Sequence, residues 1–266
     1  METSELIVDK SEPGITQLVL NRPAQLNAWT LSLEAAFFDA VDAAAADPQV
    51  RVVVVTGAGR GFCAGASMDM LGSAARPADR KGRRALVDLA EFPKPVIAAV
   101  NGPAAGLGLA LALCCDIRIA ADDAKLTTAF ARLGLVAEHG TAWLLPRIVG
   151  RAHALDLLLS GRTVTGSEAA DIGLVHRAVD RAQTLTKALD YARDLAASGA
   201  PSSWATIKRQ VADAERVSLR DAYAQATELM VPALASADHQ EGVAAWRAKR
   251  APRFAPVAAQ AVRPPA

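Results

Sequence analysis

Residues 94–120, KPVIAAVNGPAAGLGLALALCCDIRIA, set the reading of the whole chain. Pro95 to Val100 is a short run of β-branched and small apolar side chains, the pattern of a strand buried on both faces. Asn101-Gly102-Pro103 stops it as a turn. From Gly106-Leu107-Gly108 onward, Leu and Ala dominate with high helix propensity as far as Cys114-Cys115-Asp116, and Ile117 to Ala120 reads as a second strand. Strand, glycine turn and helix together aim unpaired backbone N–H groups, at the positive end of a helix dipole, towards one point. Such a point suits an anion, or an oxygen about to become one. Two other readings compete. Val96 to Cys115 carries no charge and is long enough for a membrane span, but a span leaves Asn101, Gly102 and Pro103 in its middle unexplained. A lone Gly-x-Gly turn more often holds no ligand at all.

The rest of the chain supports the strand and helix reading. Val50 to Val55 is strongly β-branched, follows an Ala-rich helix expected over 31–46 with Leu33, Phe37 and Val41 on one face, and leads into the glycine loop 56–61. A hairpin is expected from 6–8 and 15–20 around Glu12-Pro13-Gly14. This βαβ step predicts right-handed crossovers and a mostly parallel sheet, hence an α/β fold. Further along, 85–92 reads as a short helix and 125–130 as a strand. Helices are expected over 142–149, 152–159 and 167–172, and a last strand over 175–179. Residues 71–84 have little periodicity and read as a loose surface segment. Beyond 183 the strand signal gives way to amphipathic helices over 185–197, 202–216, 219–230 and 238–250. The chain thus divides into an α/β body, 1–200, and a helical region, 201–266, ending in a Pro- and Ala-rich tail. Apolar faces on both sides of those helices call for a partner surface, such as another copy of the chain.

Composition narrows the function. Hydrophobic residues make up 52% of the 266 residues and the net charge is +1, so a large core is available and no basic run favours nucleic acid. Three cysteines, two of them adjacent, form no disulfide framework, and the four histidines show no metal-ligand spacing. The opening METSELIVDKSEPG lacks the apolar stretch of a secretory leader. A cytoplasmic protein without metal or membrane association is expected.

Seven motifs in order then resemble the crotonase (enoyl-CoA hydratase/isomerase) superfamily. They are Asn21-Arg-Pro with Asn27-Ala28, Gly59-Arg-Gly-Phe-Cys-Ala-Gly-Ala66, Lys94 to Gly106, Cys115 to Ala120, Leu144-Leu-Pro-Arg-Ile-Val-Gly150, Ala170-Asp-Ile-Gly-Leu-Val175, and Asp238-His-Gln-Glu-Gly with Arg247-Ala-Lys-Arg250 and Phe254. The resemblance implies stacked ββα turns with a C-terminal helical region, usually assembled as trimers or pairs of trimers. It implies an acyl-CoA thioester as substrate and no separate cofactor. By motif position the oxyanion hole falls on the backbone N–H groups of Ala66 and Leu107. Coenzyme A is expected along Ala64, Ala66, Ser67, Met68, Asp69 and Leu107, with Arg22 and Arg60 as candidates for its phosphates.

The family's hydratases use two glutamates, and their positions here hold Ala110 and Phe130. A carboxylate appears instead at Glu138, where some family isomerases keep their principal acid. Leu107 also fits the Δ3,Δ2-isomerase pattern. One carboxylate lying between C2 and C4 can take a proton from one and return it to the other. Apolar Leu135, Val136 and Trp143 are expected to suit Glu138 to that task near neutral pH, whereas a solvated loop acid or a helix cap is the plainer role for such a residue. Asp116 and the cysteines are expected to be structural, His139 a loop residue, and Trp143, Trp204 and Trp246 core or interface. Enoyl-CoA isomerisation is the leading reading. Hydration of an enoyl-CoA and a non-catalytic thioester-binding subunit are its alternatives.

Overall fold

A computed structural model describes residues 4–72 and 84–256. The expectations for 73–83 within the loose segment, and for the tail beyond 256, lie outside those residues. The chain runs through β1 (Leu6–Asp9), β2 (Ile15–Leu20), α1 (Leu31–Ala46), β3 (Val52–Gly57) and α2 (Met68–Gly72). A 3-10 turn, Leu86–Glu91, precedes β4 (Val96–Val100), β5 (Ala104–Ala105), α3 (Leu107–Cys114), β6 (Ile117–Ala121) and β7 (Lys125–Thr127). After a second 3-10 turn, Phe130–Leu133, come α4 (Thr141–Ser160), β8 (Val164–Thr165), α5 (Gly166–Asp171) and β9 (Arg177–Val179). The chain closes with α6 (Thr184–Ser198), α7 (Pro201–Ala214), α8 (Leu219–Leu234) and α9 (Ala237–Arg247). A mixed α/β body followed by helices agrees with the crotonase-like arrangement expected.

The main sheet has the order β1-β2-β3-β4-β6-β9, antiparallel only at the β1–β2 hairpin. A three-stranded sheet, β5-β7-β8, stands beside it. Strand parity explains why the central strands read as unbroken apolar runs. Val53 and Val55 of β3 and Val96, Ala98 and Val100 of β4 join one core cluster with α1 and α3. Val52 and Val54, with Ile97, Ala99 and Ile119, face the other way and pack on Ala188, Leu189 and Ala192 of α6. Both faces of the sheet are therefore buried, as helices on either side of a parallel sheet require. Helix α3 is buried at every position, which accounts for its lack of a polar face.

Some local expectations change. The strand expected over 125–130 ends at Thr127, because Ala129 turns the backbone left-handed (φ 58°) into the 3-10 turn. The two helices expected at 142–149 and 152–159 form one element interrupted by Gly150, whose φ of 76° and ψ of 158° are not helical. Trp29 is the fully buried tryptophan, whereas Trp246 is 86% exposed and does not belong to the core of this chain. Asp116 is structural: its Oδ2 accepts from the Val96 N–H and the Lys208 ammonium, both at 2.7 Å, fastening α7 to the start of β4. Helix α7 packs on the first 3-10 turn and on α8. No residue of α8 is buried.

Candidate active site

One wall of the candidate site is main chain. Beyond β3, the buried Asn27 (φ 57°) steadies the glycine loop: its amide nitrogen donates to the carbonyls of Ala58 and Gly61 at 3.0 and 2.8 Å, and its oxygen accepts from the Arg22 N–H at 2.8 Å. The loop then threads between two neighbours. Phe62 and Cys63 N–H groups donate to Pro103 O, and Ala105 N–H returns to Cys63 O, all at 3.1 Å. On the other side Trp29 N–H donates to Gly65 O and Ser67 N–H to Trp29 O, each 2.8 Å, which is a parallel bridge centred on Ala66. In a parallel bridge the flanking residues make the bonds, so the Ala66 N–H points away from Trp29 and finds no acceptor among the described residues.

The second donor comes from a helix start. Gly106 (φ 50°, ψ −115°) places Leu107 at the first position of α3 without a side-chain cap. The Leu107 N–H likewise has no acceptor among the described residues, as a first-turn amide must unless something outside the helix supplies one. Two glycines bring this helix start against the loop. A Cβ at Gly108 would stand 2.0 Å from Cys63 O, and one at Gly65 (φ 101°) would stand 2.9 Å from Ala105 O and 4.0 Å from Leu107 N. Gly108 therefore lets α3 pack directly on the Cys63 backbone. Cys63, Cys114 and Cys115 are all buried, and burial pushes the first two thiols up to about 12 and the third higher still, so they stay neutral and act as packing.

The opposite wall is side chain. Thr127 and Thr128 hydroxyls donate to the carbonyls of Gly161 and Leu157 at 2.9 and 2.7 Å, pinning the end of β7 to the end of α4. The chain then carries Phe130, Leu133 and Leu135 past the donors before reaching Glu138. His139 (φ 54°) and Gly140 (φ 73°) follow in left-handed conformations, and Glu138 O accepts from Thr141 N–H at 3.0 Å as α4 begins. His139 Nε2 lies 3.8 Å from Glu138 Oε1.

Ala64, Ala66, Leu107 and Glu138 line one cavity of about 60 Å³, together with Leu71, Thr128, Phe130, Leu133 and Leu135. Glu138 is the only titratable group among the described residues on that wall. Four of the sequence-predicted residues are thus brought together. Ser67 is nearly buried and its Oγ accepts from Met70 N–H at 3.4 Å, while Met68 and Asp69 are exposed; none of the three lines the cavity. Leu135, Val136 and Trp143 are themselves exposed, so within one chain they do not enclose Glu138. Arg22 is engaged elsewhere, 2.8 Å from Glu5 and donating to Ala28 O at 2.5 Å, and is a loop clamp rather than an open phosphate ligand. Arg60 is exposed. Ala110 is buried inside α3, off the cavity, and Phe130 lines it. Sequence reasoning missed Thr128, Leu133 and Leu71 as wall residues, since apolar and hydroxyl positions carry no signal until the turns are known.

Among the described residues no three His, Cys, Asp or Glu side chains converge to hold a metal ion, and no helix is long and apolar enough to cross a membrane. The cavity thus brings together the segments of two amides without acceptors among the described residues and one carboxylate.

A family model described as enoyl-CoA hydratase/isomerase matches residues 10–256. The chain is 38% identical to 1,2-epoxyphenylacetyl-CoA isomerase of Escherichia coli strain K12, over 94% of this chain and 98% of that protein. It is 37% identical to a Mycobacterium bovis protein named a probable enoyl-CoA hydratase, echA12, over 94% of this chain and 93% of the relative. The crystal structure of a probable enoyl-CoA hydratase/isomerase from Mycobacterium abscessus superposes with a TM-score of 0.87 at 34% identity, covering 96% of this chain and all of that one. With its cavity, donors and lone acid on this fold, the chain belongs to the enoyl-CoA hydratase/isomerase family of acyl-CoA enzymes.

Proposed function

We propose that the protein isomerises an enoyl-CoA by shifting its double bond into conjugation with the thioester, using Glu138 to move the proton. The observation that carries this reading is the pairing, on one cavity, of two acceptor-free amides with a single carboxylate. The thioester oxygen accepts from the N–H groups of Ala66 and Leu107. The Glu138 carboxylate takes a proton from C2, and the electron pair moves into an enolate whose negative oxygen the two donors stabilise. The protonated Glu138 then returns the proton at C4, so that the 3,4 double bond becomes a 2,3 double bond and the carboxylate is regenerated. Hydration would benefit from a second acid-base group to activate water, and the two positions where the family's hydratases carry glutamates hold Ala110 and Phe130. The likeness, at 31% identity, to a protein named Delta(3,5)-Delta(2,4)-dienoyl-CoA isomerase, whose named reaction is a double-bond shift, supports the same reading.

Coenzyme A would lie along the loop of Ala64, Ala66, Ser67, Met68 and Asp69, with exposed Arg60 available to its phosphates. The wholly unburied α8, with Leu219, Tyr223, Met230, Val231 and Leu234 exposed, would pack between copies of the chain, in a trimer or a pair of trimers. Sedimentation of the purified protein tests that assembly.

The likeness to a protein named as a hydratase favours the second reading, addition of water to a 2-enoyl-CoA. Absorbance separates the two. Isomerising a 3-enoyl-CoA creates the conjugated chromophore and raises absorbance, whereas hydrating a 2-enoyl-CoA removes it. A rise with the 3-enoyl ester that disappears in Glu138→Gln supports the proposal. A fall with the 2-enoyl ester as the faster reaction overturns it, and no turnover of either ester by the unmodified protein, with thioester binding that Glu138→Gln leaves unchanged, points to a non-catalytic thioester-binding subunit.

A further inference from the structure

The amide of Leu107 opens a helix whose other end holds a buried charge. Every residue of α3, from Leu107 to Cys114, is buried. The chain continues through Cys115 into β6, where Arg118 pairs in register with Ala98 of β4. Ala98 belongs to the sheet face that packs on α1 and α3, so Arg118 projects to that side. Arg118 is only 6% exposed. Its guanidinium donates to the carbonyls of Ala112 and Cys115 at 3.4 and 2.6 Å, and to Leu174 O at 3.0 Å. Ala112 lies in the last turn of α3 and Cys115 ends it, so their carbonyls belong to the negative end of the helix dipole. Among the described residues no carboxylate forms an ion pair with the guanidinium. Asp116, two positions earlier, stands 2.7 Å from the Lys208 ammonium, which offsets its charge. A buried cation thus occupies one end of α3 and an amide without an acceptor among the described residues occupies the other.

We infer that Arg118 is a positioning residue for the reaction: capping the far end of α3, it raises the positive potential at the Leu107 amide and so the polarisation of the thioester oxygen. The inference rests on the amides of Ala66 and Leu107 holding that oxygen, as proposed above. Two effects act in the same direction. The cation offsets the negative pole of α3 and leaves the positive pole at Leu107 uncompensated. Its own field also reaches that pole through packed protein rather than solvent, over a helix length of about 12 Å. With an effective dielectric constant of about 20, a unit charge at that distance changes a rate by up to about tenfold.

The test reads the carbonyl itself. Hexanoyl-CoA, isotope-labelled at the thioester carbonyl and unable to isomerise, is bound to the full chain and the infrared stretch of that carbonyl is recorded; stronger polarisation lowers its frequency. Arg118→Gln removes the charge and keeps an amide donor, whereas Arg118→Lys keeps the charge. We expect Arg118→Gln to raise the frequency and to lower kcat on 3-hexenoyl-CoA about three- to tenfold with KM little changed. Arg118→Lys should restore most of both. Ile119→Ala, whose side chain packs on the α6 side of the sheet, destabilises the protein away from this end of α3 and should leave the frequency alone. If Arg118→Gln does not fold, Cys114→Asp takes its place. It keeps the guanidinium and sets a negative charge at the same end of α3, so the frequency should again rise. A frequency that the neutral or the acidic variant leaves unmoved overturns the inference, and so does an equal shift in Ile119→Ala. Equal losses in Arg118→Lys and Arg118→Gln also overturn it, because the hydrogen bonds rather than the charge would then be responsible. Leu107→Pro keeps the underlying reading separate. If it too leaves the frequency unchanged, the amide does not hold the oxygen and that reading fails; if it shifts the frequency while Arg118→Gln does not, only the role of Arg118 fails.

Discussion

The two walls of the cavity are made in opposite ways. The donor wall consists of main-chain amides, held by a parallel bridge to Trp29 on one side and by Pro103 and Ala105 on the other, with small or buried side chains around them. The acid wall is a turn whose chemistry resides in one side chain, reached through two left-handed residues and flanked by exposed Leu135 and Val136. Substitutions at the first wall change function mainly when they remove an N–H or force the backbone apart. Those at the second change it by changing the functional group. In the proposed reaction the first wall would hold the thioester oxygen, and the second would act at carbon.

Glu138→Gln should have the largest effect. It removes the proposed base but keeps its shape, so turnover of a 3-enoyl-CoA should drop about 10²–10⁴-fold with little change in melting temperature. Retained activity would place the acid elsewhere and end the contrast. Leu107→Pro comes next. Proline is tolerated at the first position of a helix, so α3 should form while its donor is lost, and kcat should fall about 10²–10³-fold. Leu107→Ala is the control. It keeps the N–H and should keep most of kcat, though removal of a buried leucine costs about 2–5 kcal/mol in denaturant melts. If the two variants lose kcat equally, the side chain rather than the amide matters.

Gly108→Ala forces a methyl against Cys63 O and should lower stability by about 1–3 kcal/mol or more, with activity falling because the donors separate. Urea midpoints measure the first effect and steady-state kinetics the second. The smallest effect lies beside β6, where His176 Nδ1 accepts from the Arg118 N–H at 3.1 Å. Partial desolvation and the nearby Arg118 charge hold the imidazole of His176, a residue still largely open to solvent, below its ordinary 6.5. The unfolded chain therefore takes up a proton at His176 first as the pH falls below 6.5, and stability declines from there down to the folded value. Above 6.5 the group contributes no slope. Urea midpoints at pH 7.5 and 5.5 should diverge slightly more for the unmodified chain than for His176→Gln.

Much of the donor wall was legible because its determinants are local. The strand at 96–100, the glycines at 106 and 108 and the small residues at 64–66 each restrict the backbone by their own shape, and the Asn101-Gly102-Pro103 turn separates strand from helix. The acid wall was legible only as a position. The resemblance marked Phe130 as a site position, but nothing in the run from Thr128 to Leu135 announces that Ala129 turns left-handed and brings Leu133 and Leu135 to the cavity as well. Arg22 illustrates a second limit: a basic residue in a loop looks open until Glu5, seventeen positions earlier, is seen beside it. Helix α8 illustrates a third. Its periodic apolar residues mark a face, but periodicity does not say how much of that face its own chain covers, and here α7 and α9 cover it only in part, leaving Tyr223, Met230 and Val231 exposed.

The interleaving of the cavity has a consequence for synthesis on the ribosome. Its lining is drawn from residues 64–71, 105–107 and 128–138, and strands β4 and β6 separate the first of these from the last. A growing polypeptide therefore has no half-built pocket to offer a ligand. Thioester affinity should emerge abruptly, after the segment carrying Glu138 has cleared the exit tunnel.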